Sequence, residues 1–415
     1  MAYHLFERYG IELEYMIVDR DTFRVAPLTD KVLEEVNGSI VNEVAMDDNI
    51  AWSNELALHV IELKVAEPVE TLDNLAATFH QNVQKINAIL LKHNACLMGG
   101  PMHPFMDPLT EMRLWPHDYS PIYDAFDRIF SCKGHGWANL QSMHINLPFA
   151  NDDEFGRLHA AIRLVLPIIP ALSAGSPFAD GKVTGFHDTR METYRTNSKK
   201  IPSITGLVIP EAVFTQAEYE KNILNKIYQD LSYCDPQKVL QEEWVNARGA
   251  IARFERNTIE IRVIDVQETP FADCAIAALV IETIRMLVNE QVSSFSDQKK
   301  IGIKQLSEIF LKTIHYGEAA VVRDRAFLGA LGLSPRSCNG SELWKILLGK
   351  ILENSSTAIK PHLALLQQIT TKGSLASRLL SSVSNVSGQE PFPGICKKMC
   401  GCLRDGTLFN SELSE

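Results

Sequence analysis

Carboxylates and one imidazole, spaced by two residues inside otherwise apolar runs, are the chemical signature of this chain. In Gly10-Ile11-Glu12-Leu13-Glu14-Tyr15-Met16, strand alternation puts Glu12 and Glu14 on one face and sends Ile11, Leu13 and Tyr15 to the other. In Ser142-Met143-His144-Ile145-Asn146-Leu147, the same period puts Ser142, His144 and Asn146 together. In Thr258-Ile259-Glu260-Ile261-Arg262-Val263, Glu260 and Arg262 share a face opposite three apolar side chains. A fourth run, Asn54 to Leu63, carries Glu55 and Glu62 seven residues apart, on opposite faces of an unbroken strand. Either a bulge or turn intervenes, or Glu55 precedes the strand and reaches in from a loop.

Any one of these residues alone fits a solvated face of an antiparallel sheet. Acids at i and i+2 repel, however, and stacking such pairs on neighbouring strands costs stability unless something positive lies between them. A divalent cation supplies that charge. Several carboxylates with a single imidazole suit Mg²⁺, with Mn²⁺ able to substitute, better than Zn²⁺, which favours thiolates or several histidines. Magnesium usually bridges to phosphate, so the acids point to a nucleotide held through its metals. The chain shows neither a GxxxxGK[ST] loop nor a GxGxxG fingerprint.

Elements that could position this set lie mostly before residue 270, where the strand-like runs concentrate; beyond it the apolar period is helical. Leu72, Leu75, Phe79, Val83, Ile86 and Leu90 mark an amphipathic helix expected to cover one face of a sheet. Similar patterns span roughly 152–172, 215–232 and 271–293, with shorter helices from about 303 to 382. Ser381 to Pro393 reads as a linker.

With 415 residues and 46% apolar content the chain can bury a substantial core. Its 40 Lys+Arg against 51 Asp+Glu, a formal charge of −11, argue against nucleic acid and anionic membrane as partners. No apolar run approaches a membrane span, and the charged opening Met-Ala-Tyr-His-Leu-Phe-Glu-Arg lacks an export signal, so a cytoplasmic location is expected. A homodimer is the default for such a protein. Eight cysteines suit buried small hydrophobes in a reducing compartment. Cys396, Cys400 and Cys402 lack an obvious fourth ligand, which favours packed or exposed thiols over a metal clip or redox pair.

These motifs resemble the glutamate–cysteine ligase family, carboxylate–amine ligases related in fold to glutamine synthetase. Gly10-Ile11-Glu12-Leu13-Glu14 is similar to its G-x-E-x-E opening, Glu55 to Glu62 to its second acidic strand, Ser142–Leu147 to its histidine-bearing strand, and Thr258–Val266 to its E-x-R-x-x-D strand. The four occur in family order over about the first 270 residues. The resemblance implies an α+β fold whose curved, mainly antiparallel sheet forms a funnel-shaped site backed by helices. The expected division is a glutamine synthetase-like catalytic domain over 1–295, a helical extension packed on it over 296–380 and a loop with a Cys-containing tail over 381–415. It implies that Glu12, Glu14, Glu55, Glu62, His144 and Glu260 coordinate Mg²⁺ and that Arg262, with Glu260, faces the transferring phosphate of ATP.

The implied reaction is ATP-dependent ligation. A substrate carboxylate, glutamate in the family, is phosphorylated to an acyl phosphate, and an amine, cysteine in the family, displaces phosphate to give a γ-glutamyl amide for glutathione biosynthesis. Substrate carboxylates need cations, and the polar, loop-like stretch Asp188–Lys200 supplies Arg190 and Arg195, flanking Tyr194. Lys199 and Asn146 are the candidates for nucleotide contacts. Two other readings share this scaffold: a nucleotide- and metal-binding regulatory homologue without turnover, and a di-metal hydrolase.

Overall fold

The computed structural model describes residues 2–334, 336–354, 356–383 and 391–410. Its sheet contains eight strands: β1 (Gly10–Asp19), β2 (Glu43–Ala45), β3 (Ile50–Asn54), β4 (Val60–Val65), β5 (Ala95–Met98), β6 (Ser142–Pro148), β7 (Ala250–Arg253) and β8 (Thr258–Asp265). The order is β2-β3-β4-β1-β6-β8-β7, with β5 beside the far half of β1. Every pairing is antiparallel, and the sheet is open rather than closed into a barrel. The α+β class expected from the sequence holds.

Alternation decides which face is apolar. Ile11, Leu13, Tyr15 and Ile17 of β1 are fully buried beneath helices, as are Ile145 and Leu147 of β6 and Ile259 and Ile261 of β8. Those helices include α1 (Leu75–Leu90), whose Leu75, Phe79, Val83, Ile86 and Leu90 face the sheet, and α2 (Asp152–Val165). Asn151 caps α2 by accepting from the Glu154 N–H at 3.0 Å, and acids fill its first turn, where the helix dipole favours them. A shorter helix, α3 (Thr189–Asn197), lies on the opposite side, over the polar face.

Between α1 and α2 runs α4 (Pro270–Val288), opened by a proline at its first position and buried on nearly every side. Two later helices, α5 (Gly340–Glu353) and α6 (Leu363–Lys372), pack on it from outside. The polar face of the sheet is itself divided. Met16, Val18 and Met98 are covered by α7 (Leu375–Val383) and α8 (Phe392–Asp405), which form a second apolar cluster. The stretch read as linker and tail therefore holds a packed helix from Phe392; residues 384–390 of the linker and 411–415 lie outside the described residues. No helix among the described residues is long and apolar enough to cross a membrane.

Candidate active site

The uncovered half of the polar face brings the acidic strands into register. Glu12 of β1 lies opposite His144 of β6 on one side and Lys64 of β4 on the other; Glu14 lies opposite Glu62, and Glu260 of β8 opposite Asn146. Gly10 opposes Asn146 across the same pair, and a Cβ there would approach Asn146 Cβ to 3.1 Å, so glycine leaves that side chain room to reach Glu12. A register irregularity between Ile261 and Ile264 marks a bulge in β8 next to Arg262. Gly10, Glu12, Glu14, Glu62, Lys64, His144, Asn146, Glu260 and Arg262 line one cavity of about 980 Å³.

The hydrogen bonds lock each group. Glu12 Oε2 meets His144 Nδ1 at 2.8 Å, and Oε1 accepts from Asn146 Nδ2 at 2.9 Å. Glu14 Oε2 accepts from the Ser142 N–H at 2.7 Å, while Ser142 Oγ lies 2.9 Å from His144 Nε2. Ser53 Oγ donates to Glu62 Oε2 at 2.7 Å, which Lys64 Nζ also approaches to 3.0 Å. Arg262 Nε holds Glu260 Oε1 at 2.5 Å, and Arg253 Nη1 reaches Oε2 at 3.4 Å.

The electrostatics show where negative charge is in excess. Burial alone would raise the Glu12 carboxyl, but the His144 hydrogen bond and charge outweigh it and hold the group well below the usual carboxylate range. Burial pulls the His144 imidazole down, yet Glu12, Glu14 and Glu260 together push it up to about 9. Glu62 is pushed up to about 7 by burial and by its neighbours Glu12 and Glu14, against the pull of Lys64. Glu55 lies well above the ordinary range, through burial and the charges of Glu62 and Glu14. Two adjacent carboxyls thus resist ionisation, first because they are buried and then because other carboxylates face them.

A divalent cation fits that deficit. Glu12, Glu62 and His144 form one group, and Glu14, Glu55 and Glu62 another, each offering ligand atoms within 4.8 Å of one another. The oxygen-rich donor set with one imidazole suits magnesium or manganese. Glu62 belongs to both groups. Glu260 belongs to neither; guanidinium groups hold both of its oxygens, and its Oε1 is 3.9 Å from His144 Nδ1.

Glu55 reaches the cavity from the turn that joins β3 to β4, so the seven-residue spacing is resolved by a chain reversal within the run. The segment after Asp188 differs from expectation. It is helical, capped by Asp188 accepting from the Met191 N–H at 2.7 Å. Its period presents Arg190, Tyr194 and Asn197 to the cavity. Arg195 pairs with Glu192 at 2.6 Å, Lys199 is exposed, and neither lines the cavity. Arg190 is buried and committed, donating to Asp265 Oδ1 at 3.1 Å and to the Arg262 carbonyl at 2.8 Å. These bonds tie it to the strand that carries Arg262.

Sequence reasoning missed Lys64, two residues beyond Glu62 and therefore in phase with it, and Arg253, on a strand too short for its alternation to stand out. It also missed the half-buried aromatic wall of Tyr123, Phe126 and Trp137, in which the Phe126 and Trp137 rings lie 5.2 Å apart. Burial and the neighbouring Glu55 charge push the Tyr123 hydroxyl upward.

Compared with known structures, the whole architecture matches glutamate–cysteine ligase of Francisella tularensis, solved in complex with AMP. The TM-score is 0.63 at 11% identity, covering 97% of this chain and 90% of that one. The fold is that of a glutamate–cysteine ligase. Residues 8–301, which contain the entire eight-stranded sheet, match the model of glutamate–cysteine ligase family 2, and the chain belongs to that family. An uncharacterised protein of Archaeoglobus fulgidus is 32% identical over 400 residues, 96% of this chain and 99% of that protein. A protein provisionally named glutamate–cysteine ligase 2, from Herminiimonas arsenicoxydans, is 28% identical over 186 residues, so the match spans 44% of this chain and 46% of that relative's length.

Proposed function

We propose that this protein is an ATP-dependent carboxylate–amine ligase that forms a γ-glutamyl amide through an acyl phosphate, with glutamate as the acid and cysteine as the first amine to test. The observation that carries the reading is the pair of overlapping ligand groups sharing Glu62, set beside Arg262 in a single cavity. Family membership supports it.

Divalent cations held by Glu12, Glu14, Glu55, Glu62 and His144 would neutralise charge on the phosphates during transfer. Arg262 presents a fixed guanidinium at the same place. Burial opposes its charge, but Glu260 and Tyr194 more than offset this and keep it cationic. Glu260, Asn246 and Arg190 hold its side chain and backbone, so no reorganisation is needed as charge develops. Lys64 steadies Glu62 and Glu43 at 3.0 and 2.8 Å. In the first stage the substrate carboxylate oxygen bonds to the γ-phosphorus and ADP leaves. In the second the amine nitrogen bonds to the acyl carbon, phosphate leaves, and the nitrogen gives up a proton.

Purified protein incubated with ATP, Mg²⁺, glutamate and a panel of amines tests this directly. ADP and amide appear in equal amounts only when both acid and amine are present. Nucleotide binding without turnover under every combination would indicate the regulatory reading, and turnover without ATP a hydrolase.

A further inference from the structure

Two half-buried cysteines from distant parts of the chain meet at the edge of the sheet, away from the acidic cavity. Cys96 stands on β5 and Cys400 on α8, which packs against that strand. The two side chains act on each other across that packing. Both line a groove of about 400 Å³ shared with Arg20, Phe23, Lys397 and Arg404. No acidic side chain lines it. Asp19, nearby, is turned to Thr22 and Asn94, and Asp405 is bound to Arg404 at 2.8 Å. The groove therefore combines two thiols with the cations of Arg20 and Lys397 and the Asp405-paired Arg404.

Five of the other cysteines differ. Burial pushes Cys132, Cys274, Cys338, Cys396 and Cys402 upward, toward inert thiols. Cys96 moves the other way, first through its interaction with the Cys400 side chain and then through Arg20 and Arg404, although burial opposes them. Among the described residues no cysteine belongs to a group of three that could hold a metal, which removes the clip considered for Cys396, Cys400 and Cys402.

We propose that Cys96 and Cys400 form a thiol–disulfide exchange site for small disulfides that carry carboxylates, with Cys96 as the attacking sulfur and Cys400 as the resolving one. The cations attract the anionic reagent and favour the thiolate. Cys96 thiolate bonds to one sulfur of the reagent, the reagent's S–S bond breaks, and one small thiolate leaves. Cys400, losing its proton to solvent, then attacks the Cys96 sulfur and expels the second small thiol. Two protein thiols are oxidised to one disulfide and one reagent disulfide is reduced to two thiols. The product ties α8 to β5. This inference is independent of the ligase reading, because its readout is covalent.

The test uses the full chain, reduced and then exposed to oxidised glutathione as the anionic probe or cystamine as the cationic one, followed by alkylation and peptide mapping. Wild-type protein is expected to yield a Cys96–Cys400 disulfide, faster with the anionic probe. Cys400→Ser should stop at a mixed disulfide on Cys96, and Cys96→Ser should leave Cys400 slow to react. The combined Arg20→Ala and Lys397→Ala change should slow the anionic probe about tenfold and narrow or reverse its advantage over cystamine. Disulfides formed elsewhere instead, no Cys96–Cys400 bond in the wild type, equal rates for the two probes, or Cys400 reacting at its normal rate in Cys96→Ser would each overturn the proposal. Wild-type mapping needs no variant to fold.

Discussion

The guanidinium of Arg190 bonds to the main-chain carbonyl of Arg262 at 2.8 Å and, with its other nitrogen, to the buried Asp265 at 3.1 Å. One side chain thereby fixes both the end of β8 and the residue that faces the cavity. Asp265 also accepts from the Gly175 N–H and the Ser176 hydroxyl, so the contact joins three separate segments.

Arg190→Ala should consequently act on stability before chemistry. It strands the Asp265 carboxylate in a dry site, where losing one partner of a buried pair costs about 3–5 kcal/mol. Urea unfolding is expected to show a lowered midpoint. An unchanged midpoint would mean the pair contributes nothing net.

Arg262→Ala should do the opposite. Its side chain is half-buried and lines the cavity, so circular dichroism should be native while ligation falls about 10²–10³-fold, the loss typical of one preorganised contact to developing charge. Normal turnover would take Arg262 out of the mechanism.

Divalent-cation binding should depend on Glu62 more than on any other single acid, because it alone sits in both ligand groups. Mg²⁺ or Mn²⁺ should stabilise the wild-type protein against heat, by about 2.7 kcal/mol at a hundredfold excess over Kd, and a chelator should reverse this. Glu62→Gln should abolish most of the shift. A full shift in that variant would place the cation elsewhere.

Acid should weaken the fold from about pH 6.5 downward. His59 and His103 are lowered to about 4 and His159 to about 3, each chiefly by burial. Each bonds to a backbone carbonyl, of Ala138, Phe23 and Val213 respectively. Unfolded, these groups take up protons below the ordinary value near 6.5; folded, they do not. The stability they supply is thus complete above 6.5 and drains away as pH falls through 4, by up to about 1.4 kcal/mol per pH unit for each histidine. Melting temperatures between pH 7 and 4 should show the slope, and His159→Gln should flatten it.

The site was legible where the period of two holds. Glu12 with Glu14, Ser142 with His144 and Asn146, and Glu260 with Arg262 could be assigned to one face before any coordinates, because each strand's other face was unbroken in its apolarity. Glu55 stayed ambiguous because a reversal of direction leaves no phase to extrapolate. The basic stretch after Asp188 misled because a nine-residue helix with an unremarkable polar sequence looks like a loop, and only the turn of that helix separates Arg190 from Arg195. The role of α8 was invisible because its partners, Met16 and Met98, sit on strands hundreds of residues away.

The helix α4 has almost no solvent-facing side, being enclosed by α1 and α2 within the family-matched segment and by α5 and α6 beyond it. A chain cut after residue 301 would therefore carry a bare hydrophobic stripe along its most apolar helix. Such a fragment should clump or require detergent even though it retains every acid of the cavity, because the later helices are what cover that stripe.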